Sequence, residues 1–330
     1  MRHRRSRGAS NTMVSMPDID RMMSGELGQF LEEQRGARAE AVGRAWDRGW
    51  KAAMVLGPLL IAGLILIPFD FFPKLWAAGF ICTFAFGWAT GPIREAKKTV
   101  KIGINEGIAD ALGLSYSHDG EEGREFELAN QFKLLPSHTR SSLEDFWSGD
   151  LEGHDFLLHE AHLEKKTGSG KNRRWVTVFR GAIIRIASGK QFHGTTLVQR
   201  AGKHKSWLGF GGRKDSVKFD GYRLDAVDMV HPEFEDTFEV WSDDQVEARY
   251  LVDPLYVERL IAMEAAFDGK DVCSLFVEGD IIVAVRGGNM FEGGTMNPAS
   301  DRFMVEKCAQ QFASMGKLAK QVNRQLGFND

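Results

Sequence analysis

The sequence predicts an α+β protein with a two-helix transmembrane hairpin, long flanking helices and a mostly antiparallel, β-rich cytosolic domain that ends in a long helix. Three observations support this fold class. Two uncharged runs of 18 and 17 residues lie close together, at 52–69 and 75–91. After Tyr116 the apolar period changes to two, and from Asp301 to Leu326 it is helical. At 330 residues the chain can bury a sizeable core.

The two uncharged runs predict the transmembrane hairpin. A bilayer core of about 30 Å needs roughly 20 helical residues, so each run is near the lower limit. A helical hairpin buried in a soluble core is the alternative, but such helices normally keep a polar face and neither run has one. The second run also fits a re-entrant loop.

Charges flanking the runs predict their orientation. Basic residues precede the first run and follow the second, whereas the short connection has only Lys74 beside Asp70. The positive-inside rule then places both termini in the cytoplasm, and Trp50, Trp76 and Trp88 lie near the expected interfaces. The lipid bilayer is therefore the first predicted partner.

The remaining segments follow from composition and period. The first residues, "MRHRRSRG", form a basic tail that could contact anionic headgroups or remain solvated. The predicted divisions are a disordered basic tail at 1–17, an amphipathic helix at 18–50, the transmembrane hairpin at 51–92, a juxtamembrane helix at 93–114, the cytosolic α+β domain at 115–298 and the C-terminal helix at 299–330.

Alternating segments separated by turn residues predict the strands of the cytosolic domain. Asp253 and Pro254 supply a helix cap and first position, so a helix is predicted from Pro254. Because the links between strands have hairpin length, the sheet is predicted to be antiparallel. The predicted strand segments are "DFLLHEAHLEKKT", "RWVTVFRGAIIRIAS", "GTTLVQRAG", "VKFDGYRLDAVDM", "FEDTFEVWS", "EARYLVD", "VCSLFVEG" and "DIIVAVRGG".

The C-terminal helix has a heptad seam about three heptads long. Two interpretations fit it: packing across the sheet, or self-association as a coiled coil that would give a protein partner or a homo-oligomer. The seam residues are Val305, Cys308, Phe312, Met315, Ala319, Val322 and Leu326.

Composition excludes some classes of function. The net charge of −3 and the pI near 6.3 give no basic excess for nucleic acid. Three widely spaced cysteines favour a reducing compartment. No cofactor is predicted, because neither "TGSGKN" at 167–172 nor "WLGFGGRK" at 207–214 completes a phosphate-binding motif. The first is predicted as a hairpin loop, and the second as a loop that could bind a partner or a headgroup.

The stretch "GHDFLLHEAH" at 153–162 resembles a zinc motif with one residue missing. Its alternating pattern predicts a strand, in which His159 and His162 point to opposite faces. His154 and His162 share a face but lie eight residues apart, about 27 Å along a strand, so they cannot hold one ion together. No metal site is predicted. His154 and His162 remain the only metal candidates, and with carboxylates such as Asp155 and Glu160 they give a metal-dependent hydrolase as the alternative function.

A polar cluster is the candidate binding surface. It comprises Asp243, Asp244, Glu247 and Arg249, next to Trp241. A purely local interpretation also fits, with a Ser-Asp-Asp turn and Glu247 paired with Arg249 on a strand face.

The segment from Phe238 to Glu264, "FEVWSDDQVEARYLVDPLYVERLIAME", resembles a bacterial membrane-protein family catalogued as a domain of unknown function. Members share Phe-x-Val-(Tyr/Trp)-Ser-Asp-Asp followed by Glu-Ala-Arg-Tyr and a helix, and "VFRGAIIRIASGKQFHGTTLV" is similar to a second part of that family. The resemblance covers roughly residues 20 to 325. It implies a place in the bacterial cell envelope with most of the chain cytosolic, and it implies no activity.

These observations predict a membrane-anchored cytosolic interaction or scaffold module that is not an enzyme, located in the bacterial inner membrane as a multi-pass protein. Two short spans without an intramembrane charge disfavour a transporter.

Overall fold

The computed structural model describes residues 18–66, 71–151, 153–188, 191–202, 214–229, 237–288, 290–291 and 294–325. The predicted basic tail at 1–17 and the loop at 207–213 lie outside these ranges. The described residues fall into two compact units. The helical unit comprises 18–107 and 292–305, and the sheet unit comprises 108–291 and 306–325.

Four helices occupy the amino-terminal part of the chain. They are α1 (Ile19–Ser24), α2 (Glu26–Leu66), α3 (Phe71–Ala89) and α4 (Gly91–Leu112). Asp18 caps α1 by accepting a hydrogen bond from the amide of Arg21 at 3.0 Å. Most of the predicted amphipathic helix and the described part of the first uncharged run form the single helix α2, which is 41 residues long, whereas the start of the predicted helix forms α1.

Close packing between α2 and α4 depends on two glycines of α4. A Cβ on Gly103 would lie 2.2 Å from the ring of Phe30, and one on Gly107 would lie 2.9 Å from Leu27. Ile104, between them, is 1% exposed. The helices can approach this closely only because these positions lack side chains.

The predicted transmembrane hairpin is not supported. In the described ranges, no helix combines the length and the apolar character needed to cross a bilayer. The uncharged part of α2 covers 52–66, which rises only about 22 Å. The 19 residues of α3 include Lys74.

The described residues of the sheet unit form one antiparallel sheet of ten strands in the order β1-β2-β3-β4-β10-β9-β5-β8-β7-β6. This confirms the predicted α+β class with its antiparallel sheet and long final helix. The strands are β1 (Ser115–Ser117), β2 (Arg140–Leu151), β3 (His154–Thr167), β4 (Arg174–Ala187), β5 (Thr196–Arg200), β6 (Ser216–Phe219), β7 (Tyr222–Val227), β8 (Phe238–Ser242), β9 (Lys270–Val277) and β10 (Asp280–Arg286).

Helices cover both faces of the sheet. On one face α5 (Arg124–Gln131) packs its Phe126 and Ala129 into a core with strand residues such as Leu163 and Leu275. On the other face, Tyr256 of α7 (Pro254–Ala266) contacts Phe276, and Phe312 of α8 (Asp301–Gln325) contacts Phe156. The short helix α6 (Gln245–Leu251) follows β8 along the chain. The Asp253 cap predicted for α7 is present, because its carboxylate accepts the Tyr256 amide at 2.7 Å.

The seam of α8 is buried within the single chain. Phe312 contacts the rings of Trp147 and Phe156, with centroids 4.7 and 6.1 Å apart. Cys308 and Met315 are also buried. This burial matches the interpretation in which the helix packs across the sheet. Leu326 and the side chain of Val322 lie outside the described parts of the chain.

One strand prediction is wrong. The segment "EARYLVD" forms most of α6 rather than a strand. Asp244 caps this helix by accepting the amides of Val246 and Glu247, both at 3.0 Å, so the polar turn before it begins a helix.

Candidate functional site

An exposed apolar surface dominates α2 and α3. Among the described residues, seventeen of the 23 exposed large hydrophobic side chains lie between Val42 and Trp88, and we call these seventeen the apolar surface. They are Val42, Trp46, Trp50, Met54, Val55, Leu59, Ile61, Ile65, Leu66, Phe72, Leu75, Trp76, Phe80, Ile81, Phe84, Phe86 and Trp88. Proteins that remain in water rarely expose a contiguous patch beyond a few hundred Å². This concentration therefore indicates a surface that is covered in use.

The helix α3 is apolar on all sides. Trp76, Phe80 and Phe84 are 80%, 77% and 77% exposed, and Phe86, which lies on the other side of the helix, is 71% exposed. A helix that is hydrophobic all round requires apolar surroundings. An open groove of about 550 Å³ between α2 and α3 is also apolar, with Val55, Leu56, Phe80, Ile81 and Phe84 among its lining residues.

Charged groups are concentrated at one end of the apolar surface. The guanidinium of Arg48 lies 5.3 Å from the ring centre of Trp88 and donates a hydrogen bond to its carbonyl at 3.5 Å. Arg94 donates to the carbonyl of Gly87 at 2.5 Å, and Lys51 pairs with Asp47 at 2.6 Å. Basic groups and tryptophan rings together are typical of the headgroup region of a membrane.

The predicted polar cluster holds a neighbouring loop in place. Glu247 accepts the amides of His193 and Gly194, each at 2.8 Å, and Asp243 accepts the amide of Thr195 at 2.6 Å. A Cβ on Gly194 would lie 2.5 Å from an Asp243 oxygen, so this loop can approach only with glycine there. These carboxylates therefore fix residues 193–195 against α6.

The other members of the cluster also have contacts inside the chain. Arg249 donates to the carbonyl of Asp228 at 3.2 Å and to the side chain of Gln245 at 3.3 Å. Trp241 is fully buried in the core between the sheet and α5. Glu247 and Arg249 lie on a helix, so the predicted pairing on a strand face is wrong. The binding role of the cluster remains a prediction.

The histidine-rich stretch forms β3, as its period predicts. His162 contacts the hydroxyl of Thr177 at 2.9 Å, whereas His159 lies fully buried on the opposite face. Asp155 pairs with Arg185, and Glu160 accepts the amides of Met290 and Phe291 at 2.9 and 2.6 Å. The carboxylates considered for the hydrolase thus already have partners in the chain.

A buried pair that the sequence did not predict lies beside this strand. His159 Nδ1 is 3.5 Å from a carboxylate oxygen of Glu125 at the start of α5, and the imidazole stacks on Phe146 with centroids 5.0 Å apart. Burial lowers the pKa of His159 to about 4 and raises the pKa of Glu125. Both shifts favour the neutral forms, so the pair belongs to the core.

A second unpredicted cluster joins the first two strands. Atoms of His118, Glu144 and Asp145 that could bind a metal lie within 4.8 Å of one another. One oxygen of Asp145 accepts the hydroxyl of Tyr116 at 2.7 Å and contacts His118 Nδ1 at 3.1 Å. The irregular pairing of β2 with β3 after Glu144 brings these residues together. No short sequence motif predicts this cluster. The cluster includes neither His154 nor His162.

Comparisons with known proteins indicate a domain of unknown function and give no activity. Residues 177–324 match a family described as "Protein of unknown function (DUF3137)", which supports the predicted resemblance to a domain of unknown function. The match covers the strands from β4 onward and most of α8.

Among solved structures, the chain is similar to the mycobacterial trehalose monomycolate transport factor A, TtfA. The sequences are 12% identical, the match covers 65% of this chain and 91% of that one, and the TM-score is 0.32. Similarity at this level supports no inference about function. No curated protein matches the chain.

Proposed function

We propose that this chain is a non-enzymatic interaction or scaffold module held at a lipid bilayer by the apolar surface of α2 and α3. The observation that carries the proposal is the concentration of seventeen exposed large hydrophobic side chains on these two helices. Moving one such side chain fully out of water contributes about 1.5 to 3 kcal/mol. Even half of this surface in lipid would contribute on the order of 10 kcal/mol, which is enough for stable anchoring.

The charge distribution supports an orientation. Arg48 and Lys51 lie among the first residues of the apolar surface on α2, and Arg94 follows its last residue, Trp88. Basic residues that flank a membrane segment favour the cytoplasmic side. With the family resemblance, this supports the bacterial inner membrane as the location and the cytoplasmic face as the side of both termini.

The sheet unit supports the scaffold role. In the described part of the chain, the carboxylates of the predicted polar cluster and of β3 bind backbone amides or arginines of the same chain. Groups engaged in this way fix loops and strands, as a scaffold requires. A protein partner therefore remains a prediction, which co-purification in native nanodiscs would test.

Flotation with lipid vesicles tests the anchor. The full chain, purified in mild detergent, is mixed with phosphatidylcholine, the detergent is removed and the vesicles are floated. We expect the natural chain to float, and a Phe80→Asp, Phe84→Asp variant to lose at least 100-fold in partition because two charges enter the apolar surface. Val246→Asp with Tyr250→Asp on α6 is the matched control, since these side chains are also exposed.

Two results would contradict the anchor. One is that the natural chain does not float with the vesicles. The other is that the Phe80→Asp, Phe84→Asp variant floats as well as the α6 control. Near-ultraviolet circular dichroism of the buried Trp147 and Trp241 verifies that each variant keeps its folded sheet unit.

A further inference from the structure

The hairpin of β3 and β4 extends beyond the rest of the sheet. Strand β10 pairs with β4 only from Gly181 to Ala187, and β2 pairs with β3 only as far as Glu164. Past these limits, Lys165–Thr167 and Arg174–Val176 pair with each other alone among the described strands. We call residues 164–177 the basic ribbon.

The basic ribbon carries a strong local positive charge. From 165 to 176 the sequence has five basic residues and no acidic one, although the whole chain has a net charge of −3. The four whose side chains are described are all exposed: Lys165, Lys166, Arg173 and Arg174. The acidic residue that begins the ribbon, Glu164, pairs with Arg140. The positive charge is therefore not neutralised within the ribbon.

An exposed tryptophan lies between basic side chains of this region. Trp175 is 44% exposed, and its ring lies 4.8 Å from the guanidinium of Arg140 and 5.7 Å from the ammonium of Lys166. Val176 beside it is 36% exposed. Tryptophan between cations is favoured where a membrane meets water, because the ring enters the headgroup region while the cations meet lipid phosphates.

We infer that the basic ribbon is a second membrane contact, which binds the anionic headgroups of a lipid surface. Clustered basic residues near such a surface add attraction, whereas specific protein interfaces usually exclude lysine from their centre. This inference rests on the proposed membrane association. It adds that the ribbon contacts the membrane surface only when the surface contains anionic lipid.

Energy transfer from the ribbon tip to labelled lipids tests the inference. Ser169 is exposed at the tip, so Ser169→Cys in a Cys82→Ser background gives one accessible thiol for a donor dye, because Cys273 and Cys308 are buried. The full chain is placed in vesicles of phosphatidylcholine alone, or with phosphatidylglycerol added, each with a headgroup-linked acceptor. We expect transfer to rise only in the anionic vesicles and to disappear in high salt.

Neutralising the ribbon provides the matched comparison. Replacing Lys165, Lys166, Arg173 and Arg174 with glutamine should lower the ratio of bound to free ribbon at least tenfold, because each basic residue contributes about fivefold. The control, Lys218→Gln with Arg223→Gln, removes exposed charge from the hairpin of β6 and β7 and should change nothing.

The outcomes separate this inference from the anchor. Chains that float with neutral vesicles but show the same transfer in both lipids overturn the ribbon contact and leave the anchor. Suppose instead that the chain floats only with anionic vesicles, and that this flotation is lost in high salt and in the variant with four glutamines. That result supports the ribbon contact and overturns the anchor formed by α2 and α3. Failure to float with either lipid overturns both. Stronger binding of the ribbon to a single-stranded oligonucleotide than to anionic vesicles would also overturn the lipid assignment.

Discussion

The buried ion pair between Arg38 and Asp301 allows a sharp test of how the helical unit is held together. The two guanidinium nitrogens donate to the two carboxylate oxygens at 3.0 and 2.9 Å, and the side chains are 2% and 5% exposed. The partners are 263 residues apart in sequence. The pair therefore fixes the start of α8 to the middle of α2 within one unit.

Removing one partner should be costly. Arg38→Met keeps most of the volume but leaves the carboxylate of Asp301 buried without its counter-ion, and such a loss costs about 3 to 5 kcal/mol. Changing both residues, Arg38→Met with Asp301→Leu, removes both buried charges. The double variant should then recover much of the stability, because well-packed apolar residues often replace a buried pair without loss.

Hydrogen exchange is the suitable assay because two compact units need not unfold together. We expect amides of α2 around Arg38 to exchange about 100-fold to 1,000-fold faster in Arg38→Met, while amides of the sheet unit keep their rates. Arg35→Met is the matched control, since its pair with Glu32 is 59% and 65% exposed and contributes at most about 1 kcal/mol. Equal effects of the Arg38 and Arg35 changes, or a double variant less stable than Arg38→Met, would refute the reasoning.

Three further predictions concern single side chains. Because the folded pKa of His159 is about 4 and the unfolded value is 6.5, its contribution to stability falls as pH drops between these values. In urea unfolding over this range, the free energy of unfolding should fall with pH in both proteins. The fall should be up to about 3 kcal/mol smaller in His159→Phe than in the natural chain. Gly103→Val should cost about 1 to 3 kcal/mol in thermal unfolding, because its side chain would collide with Phe30, and Gly36→Val, which meets nothing within 4 Å, should cost at most about 1 kcal/mol. Asp244→Ala should cost about 1 kcal/mol and speed exchange in the first turn of α6, and unchanged protection there would contradict its role as a cap.

Long segments with a clear period were predicted well, and short ones were not. The strands β3, β4, β9 and β10 and the helix α8 each extend over several repeats, so period alone decides their type. The seven residues of α6 span two helical turns, too few for the period to decide. Its signal was instead the capping residue Asp244 followed three positions later by Glu247, which indicates the start of a helix.

The apolar surface shows what composition can predict and what it leaves open. The absence of a polar face on the two uncharged runs predicted that they would not be buried in a soluble core, and their side chains are exposed in the structure. Composition did not decide whether each apolar helix is long enough for a span, because both runs are near the lower limit for a bilayer and Lys74 lies within α3. Composition therefore predicted the character of this surface but not whether a helix crosses a bilayer.

The core of the sheet unit contains contacts that the pattern of a single strand does not predict. The period of two placed His159 and His162 on opposite faces, and on that basis it excluded a zinc site built from the two. It could not place Glu125 beside His159, because 34 positions separate them and their contact depends on how α5 packs against β3. A strand pattern states which side chains share a face, whereas the chemistry of a buried pair depends on what covers that face. For this reason the sequence pattern does not predict the two contacts between an imidazole and a carboxylate at His159 and at His118.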